Sequence, residues 1–312
     1  MKGPLFYSKI LLFGEYGIIK DSKGLSIPYN FYNGALKMAE NPSEEAVKSN
    51  WSLKRFVSYL EKLQDEQTDL VTFDLAALKR DVEAGMYFDS SIPQGYGVGS
   101  SGALVAAIYD QYAQNKITVL ENLTREKLLQ LKNIFANMES FFHGKSSGLD
   151  PLNSYLSIPI LINSKDNIEP AGIPSQGTDG KGAVFLLDSG IVGETAPMVN
   201  IFMENLKEKG FRNMLKNQFV KYTDACVENF LHGDMKSLFS NTKKLSKVVL
   251  SHFKPMIPEQ FHEVWQKGIE SNDYYLKLCG SGGGGYILGF TEDFEKAKSA
   301  LKDYKLEVVY QF

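Results

Sequence analysis

Cysteine and histidine are scarce in this chain of 312 residues, and each scarcity excludes something. Two cysteines, Cys226 and Cys279, are too few for a disulfide scaffold and fit a reduced, cytoplasmic protein. The four histidines stand in no H-E-x-x-H or mixed Cys/His cluster, which argues against a zinc site. Charge of one sign is not in excess: the formal net charge is -3, so no nucleic acid and no membrane are expected as partners. Long apolar runs are missing too. The longest near the N-terminus, Ile10-Leu11-Leu12-Phe13, is bracketed by Lys9 and Glu15 and is far too short for a secretion signal or a membrane span.

What is present suits a globular chain of one large or two medium domains, with hydrophobic residues at 43% and charged residues at 23%. Strand patterns are expected at Phe6 to Phe13, with Ile18-Ile19 extending it after a Gly14-Gly17 turn, and at Met86-Phe88, Ser154 to Ile162 and Ala183 to Leu187. Helical spacing runs over Trp51 to Leu63 and over Thr124 to Phe142, where Leu128, Leu131, Phe135, Met138 and Phe142 form one stripe. Val199 to Leu250 reads as helices in two or three pieces. Strands at Tyr275-Leu278 and Tyr286-Leu288, a helix from Phe294 to Leu301 and a strand at Glu307 to Tyr310 follow, an α+β order. The Gly-, Pro- and Asp-rich stretch 166–182 is the candidate domain junction.

The most informative segment is Pro93-Gln94-Gly95-Tyr96-Gly97-Val98-Gly99-Ser100-Ser101-Gly102-Ala103, which runs straight into a helix-compatible apolar stretch. Glycines that open a helix leave backbone N–H groups pointing at one spot, where the helix dipole favours phosphate. A Walker loop is excluded because no lysine precedes the serines. The dinucleotide spacing G-x-G-x-x-G fits Gly97, Gly99 and Gly102, with Glu121 about 20 residues further on as a ribose acid. A phosphate loop of the small-molecule kinase type fits as well, and a plain surface loop remains the ordinary alternative.

Three further segments could carry chemistry. Lys9 interrupts an apolar strand; it either faces solvent or is directed into a cleft. Glu139 borders the apolar stripe of its helix, as a surface acid or as an inward carboxylate in want of a cation. Asp150 closes the segment His143-Gly144-Lys145-Ser146-Ser147-Gly148-Leu149-Asp150, as a turn residue or as a base. Lys277-Leu278-Cys279-Gly280-Ser281 leads into four consecutive glycines, more than a hairpin needs.

Together and in order, these segments resemble the motifs of the galactokinase, homoserine kinase, mevalonate kinase and phosphomevalonate kinase (GHMP kinase) superfamily. Ser8 to Tyr16 is similar to its first motif, Pro93 to Ala103 to its phosphate loop, Lys277 to Gly285 to its third motif, and His143 to Asp150 to the H-G-x-P-S-G-[IV]-D segment of mevalonate kinases. The resemblance implies a two-domain α+β fold: a ribosomal-protein-S5-like N-terminal domain over 1–180 and a ferredoxin-like C-terminal domain over 181–312, with the active site between them. It implies ATP and Mg²⁺ as cofactors and a small-molecule hydroxyl acceptor, most closely mevalonate. Phosphomevalonate kinase, diphosphomevalonate decarboxylase and a ligand sensor without catalysis are the alternatives. A homodimer is left open.

The same resemblance assigns roles. Asp150 would accept the acceptor's hydroxyl proton beside Lys9. Ser101 and Glu139, the latter eleven residues before Asp150, would ligand the metal. Gly95, Gly97, Gly99, Ser100, Ser101, Gly102, Gly282 and Gly283 would cradle ATP. Glu15, Tyr16, His143 and Ser147 would flank the acceptor, with Lys145 as an extra cation suited to an anionic one. Four positions depart from the family pattern: Tyr16 for histidine, Gly102 for alanine, Ser146 for proline and Cys279 for threonine. Tyr16 and Gly102 favour phosphomevalonate kinases, whereas the Glu139/Asp150 pair favours mevalonate kinases.

Overall fold

A computed structural model describes residues 4–118, 123–177 and 180–312. The chain divides into two compact units. One comprises the residues up to Lys9, Pro28–Pro93 and Gly99–Ile158; the other comprises Ile10–Ile27, Gln94–Val98 and Pro159–Phe312. Among the described residues no helix is long and apolar enough to cross a membrane.

Strands β1 (Phe6–Phe13) and β2 (Gly24–Met38) begin the chain, and each passes from one unit into the other. The expected strand extension at Ile18-Ile19 is instead a single 3₁₀ turn, Gly17–Lys20. Its entry residue, Tyr16, holds a left-handed φ of 59°, which a continuing strand does not allow.

In the first unit, β2 is followed by α1 (Glu44–Glu66), α2 (Leu75–Glu83) and β3 (Met86–Ser90), with β3 antiparallel to residues 34–38 of β2. Then come α3 (Ser100–Tyr112), α4 (Arg125–His143) and α5 (Leu149–Leu156). The caps explain the starts. Ser43, Asp74 and Thr124 accept hydrogen bonds from the N–H three residues on, at 3.2, 2.9 and 3.3 Å. Helices α3 and α5 differ: Gly99 and Gly148, both left-handed, precede them, and a glycine has no side chain with which to cap. The core is aromatic. Tyr109 of α3 meets Phe135 of α4 at 5.0 Å and Tyr155 of α5 at 5.2 Å, and burying such rings stabilises by roughly 1.5–3 kcal/mol each.

Residues Ser154 to Leu156 belong to α5 rather than to the expected strand, which starts only at Ile160. The apolar run 154–162 suits either element, and Gly148 starts a helical turn that carries through to Leu156.

The second unit contains β4 (Ile160–Ser164), β5 (Asn167–Pro170) and β6 (Ala183–Asp188). Helices α6 (Thr195–Asn205), α7 (Lys209–Met214), α8 (Lys221–Leu231), α9 (Met235–His252) and α10 (His262–Ser271) follow. A widened turn, Leu215–Val220, joins α7 to α8. Strands β7 (Tyr275–Leu278) and β8 (Tyr286–Thr291), helix α11 (Phe294–Ala300) and β9 (Leu306–Gln311) end the chain. The antiparallel sheet has the order β7-β8-β6-β9, and its central β6 is an apolar run buried from Ala183 to Leu187. Helices α9 and α10 pack against β7, and Trp265 of α10 donates to the Ser246 hydroxyl of α9 at 2.8 Å. Helices interspersed with two antiparallel strand groups match the α+β expectation.

Candidate active site

The glycine loop crosses from one unit to the other at Val98–Gly99. In the first unit Gly99 caps α3 with a φ of 84°, and the Lys9 side-chain stem lies beside it. Gly99 offers no capping side chain, so the leading N–H groups of α3 lack the bond that a polar N-cap gives. Gly102 sits one turn in, where a Cβ would come within 2.7 Å of the Asp150 carbonyl carbon. Only glycine lets α3 and the first turn of α5 approach this closely, which accounts for glycine in place of the family's alanine.

That approach assembles a cluster. The Lys9 ammonium meets the Asp150 carboxylate at 2.9 Å; the lysine side chain is 4% exposed and the aspartate 38%. The lysine is therefore turned inward, and the aspartate is half open to solvent at the start of α5. Ser101 donates its hydroxyl to Glu139 at 2.9 Å, and His143 Nε2 lies 3.0 Å from the same oxygen. One hydroxyl proton serves one acceptor, so with Ser101 donating to Glu139, His143 donates to Ser101. Ser146 donates to the other Glu139 oxygen and accepts from the Gly148 N–H at 3.0 Å. Ser147 accepts from the Leu149 N–H at 3.4 Å and is exposed, as is Lys145. Ser100 is half-buried at the head of α3.

Glu139 is buried, and burial pushes its carboxyl up to about 7; Asp150 pushes the same way, while Ser146, Ser101 and Lys9 oppose. Burial pushes the His143 imidazole down, against the pull of Asp150. A buried carboxylate that short of positive charge, with a serine hydroxyl against it, suits a hard cation with oxygen ligands. Among the described residues no cluster of three or more His, Cys, Asp or Glu side chains could hold a metal. Mg²⁺ commonly takes only one or two protein ligands and draws the rest from water and phosphate, so Ser101 and Glu139 fit it.

The second unit holds the other half of the loop. Gly97, at a φ of 79°, faces the Cys279 carbonyl so closely that a Cβ would collide with it. The Gly95 carbonyl accepts from the Gly193 N–H at 2.9 Å. Gly282 is buried, and the Gly283 N–H is already taken by the Met256 carbonyl at 2.7 Å. Glu15 pairs with Lys277 at 2.6 Å, both buried, and the Tyr16 hydroxyl donates to the Ser281 carbonyl at 2.7 Å. Burial pushes that phenol well above its ordinary range. Glu15 and Tyr16 thus engage the third-motif segment of their own unit.

The dinucleotide alternative fails on topology. Residues 91–99 separate β3 from α3, and β3 runs antiparallel to its neighbour, whereas that fingerprint needs a parallel strand leading directly into the glycine turn. Glu121, its ribose acid, lies outside the described residues. Sequence reasoning gave no role to Ser146, which it noted only as a departure from proline. The signal was available, since that departure adds a hydroxyl seven residues after Glu139.

Residues 57–157 match the family model of the GHMP kinases N terminal domain. Over that stretch the chain is similar to the GHMP kinases, and its fold is theirs. Solved structures with the GHMP kinase fold align with nearly the whole chain. Leishmania (L. major) mevalonate kinase in complex with R-mevalonate aligns at 18% identity and a TM-score of 0.61, covering 97% of this chain and 93% of that one. Methanococcus jannaschii mevalonate kinase aligns at 16% and 0.59, covering 99% and 98%. Streptococcus pneumoniae phosphomevalonate kinase in complex with phosphomevalonate and AMPPNP aligns at 14% and 0.64, covering 98% of each chain. Comparison with curated proteins finds no match.

Proposed function

We propose that this chain is an ATP- and Mg²⁺-dependent GHMP kinase that phosphorylates the hydroxyl of a small anionic acceptor, mevalonate. The observation that carries the reading is the Lys9–Asp150 pair, set one turn from the Ser101–Glu139 pair by the close approach of α3 and α5. Phosphoryl transfer asks for positioning and charge neutralisation more than covalent chemistry, and these four side chains supply both.

In this reading the half-exposed Asp150 carboxylate accepts the proton of the acceptor hydroxyl. Lys9, buried and bonded to it, fixes its orientation and faces the charge that develops on the transferred group. The uncapped N–H groups of α3 receive phosphate oxygens. Ser101 and Glu139 would hold the metal, which when bound supplies positive charge to the nucleotide phosphates. His143 and Ser146 keep the Ser101 hydroxyl and the Glu139 carboxylate in place through the bonds they already make.

A steady-state assay of ADP release against mevalonate, phosphomevalonate, galactose and homoserine tests the proposal. Mevalonate should show the highest kcat/KM and galactose negligible turnover. Phosphomevalonate is the second reading, favoured by Tyr16 and Gly102. A preference for it would replace the substrate while leaving the reaction class, whereas no ADP release with any acceptor would remove both.

A further inference from the structure

Thr223 of α8 is 1% exposed, and its hydroxyl has no hydrogen-bond partner among the described residues. It lines a small, partly open pocket of about 10 Å³ together with Glu15, Tyr16 and Lys277, beside apolar walls from Phe219, Leu245, Val249 and Leu278. All of these residues belong to the second unit. Lys277 donates to Glu15 and, at 2.8 Å, to the Leu278 carbonyl. An ammonium has three donors, and beyond these two acceptors the described residues offer it only the Phe13 ring, 5.9 Å from Nζ. The buried hydroxyl and the buried ammonium both line one small void.

At about 10 Å³ the void is at the small end of what holds one water. Its chemistry selects the same occupant. A cation would face Lys277, an anion would face Glu15, and an apolar guest would leave the Thr223 hydroxyl unsatisfied. Water accepts from Lys277 and both accepts from and donates to a hydroxyl.

We propose that this pocket holds a single ordered water bridging Thr223 to the Glu15–Lys277 pair, and that Thr223 is thereby a positioning residue for the glycine turn 280–285. The route is short. Lys277 is the penultimate residue of β7, three positions before that turn, and Glu15 fixes the lysine. The neighbouring Tyr16 sits at the centre of a tight turn, with φ 59° and ψ -36°, and reaches the same segment through the Ser281 carbonyl. Removing the water takes one contact from the lysine end of this network, which Glu15 and the Leu278 carbonyl still hold, and so loosens one of the turn's several anchors. The water itself rests on geometry alone; its consequence for nucleotide affinity rests on the kinase reading.

The test uses the full chain and three measurements. A crystal structure with visible solvent should show a water within hydrogen-bond distance of Thr223 Oγ1 and Lys277 Nζ. In hydrogen exchange, Thr223→Val, which keeps the shape and removes the hydroxyl, should raise exchange across residues 279–286 several-fold. Thr223→Ser should restore the parent pattern. ATP titration should then give a weaker Kd for the Val variant with kcat at saturation retained. An empty pocket, or a Val variant that exchanges like the parent over 279–286, would overturn the proposal. So would a rise spread evenly to α4 in the other unit, because it would make Thr223 merely a stabilising residue. If the parent binds no ATP while the exchange pattern holds, the kinase reading falls and the water site stands.

Discussion

Asp150 shows how position gives an ordinary side chain its chemistry. Its carboxylate is held by an inward lysine yet stays half open, which is what a proton acceptor needs. Asp150→Asn keeps the shape and removes the basicity. Its kcat should fall about 10²- to 10⁴-fold, the usual scale for a general base, equivalent to about 3–5 kcal/mol of barrier. Equilibrium binding of ATP should stay near the parent value, and a near-normal kcat would leave Asp150 as a helix-start residue only. Glu139 makes a different prediction. Its carboxyl is raised by burial from 4.5 to about 7, so the folded state holds a proton that the unfolded chain releases at lower pH. This contribution to stability is present below about pH 4.5 and is lost as pH rises through about 7. In chelator, Glu139→Gln should therefore melt with the parent near pH 4.5 and be more stable at pH 8 by roughly 2–3 kcal/mol. Added Mg²⁺ should stabilise the parent and not the variant; equal melting of the two at pH 8 without metal would contradict this.

At the scale of elements, the site depends on two helix starts brought close by a missing side chain. Gly102→Ala inserts a methyl group against the Asp150 and Pro151 backbone. The expected cost is about 1–3 kcal/mol in urea denaturation, as for other overpacked contacts, together with a fall in kcat because α5 carries Asp150. A variant with unchanged stability would mean that α3 and α5 can part freely. Much at this scale was legible in the sequence. The stripe from Leu128 to Phe142 and the cap at Thr124 mark α4 to within a residue, and the apolar run of β6 is equally plain. The misses have separate causes. Residues 154–156 read as strand because an apolar run has no period of its own, and the choice of helix was made by Gly148 upstream. Helix α2 escaped notice although Asp74 caps it, since a single aspartate before a short mixed segment is a weak signal. The role of Ser146 depended on a contact across the end of a helix, which spacing alone does not reveal.

At the scale of the whole molecule, the chain moves between its two units five times, at Lys9–Ile10, Ile27–Pro28, Pro93–Gln94, Val98–Gly99 and Ile158–Pro159. Nothing in the composition of residues 10–27 ties them to the segment beginning at Pro159; only long-range packing does. Ile10, Leu12 and Phe13 are fully buried. A fragment ending at Ile158 leaves these side chains without most of their unit, so it should aggregate when expressed alone. Co-expression with residues 159–312 should recover soluble protein, measured by size-exclusion chromatography; a monomeric, folded 1–158 fragment would refute this. The interleaving also bears on inheritance. A single genetic crossover exchanges everything to one side of a point, and no one point in this chain separates the two units. Swapping one unit with that of a relative takes five junctions in register, so a recombinant with one junction inherits a mixture of both units from each parent.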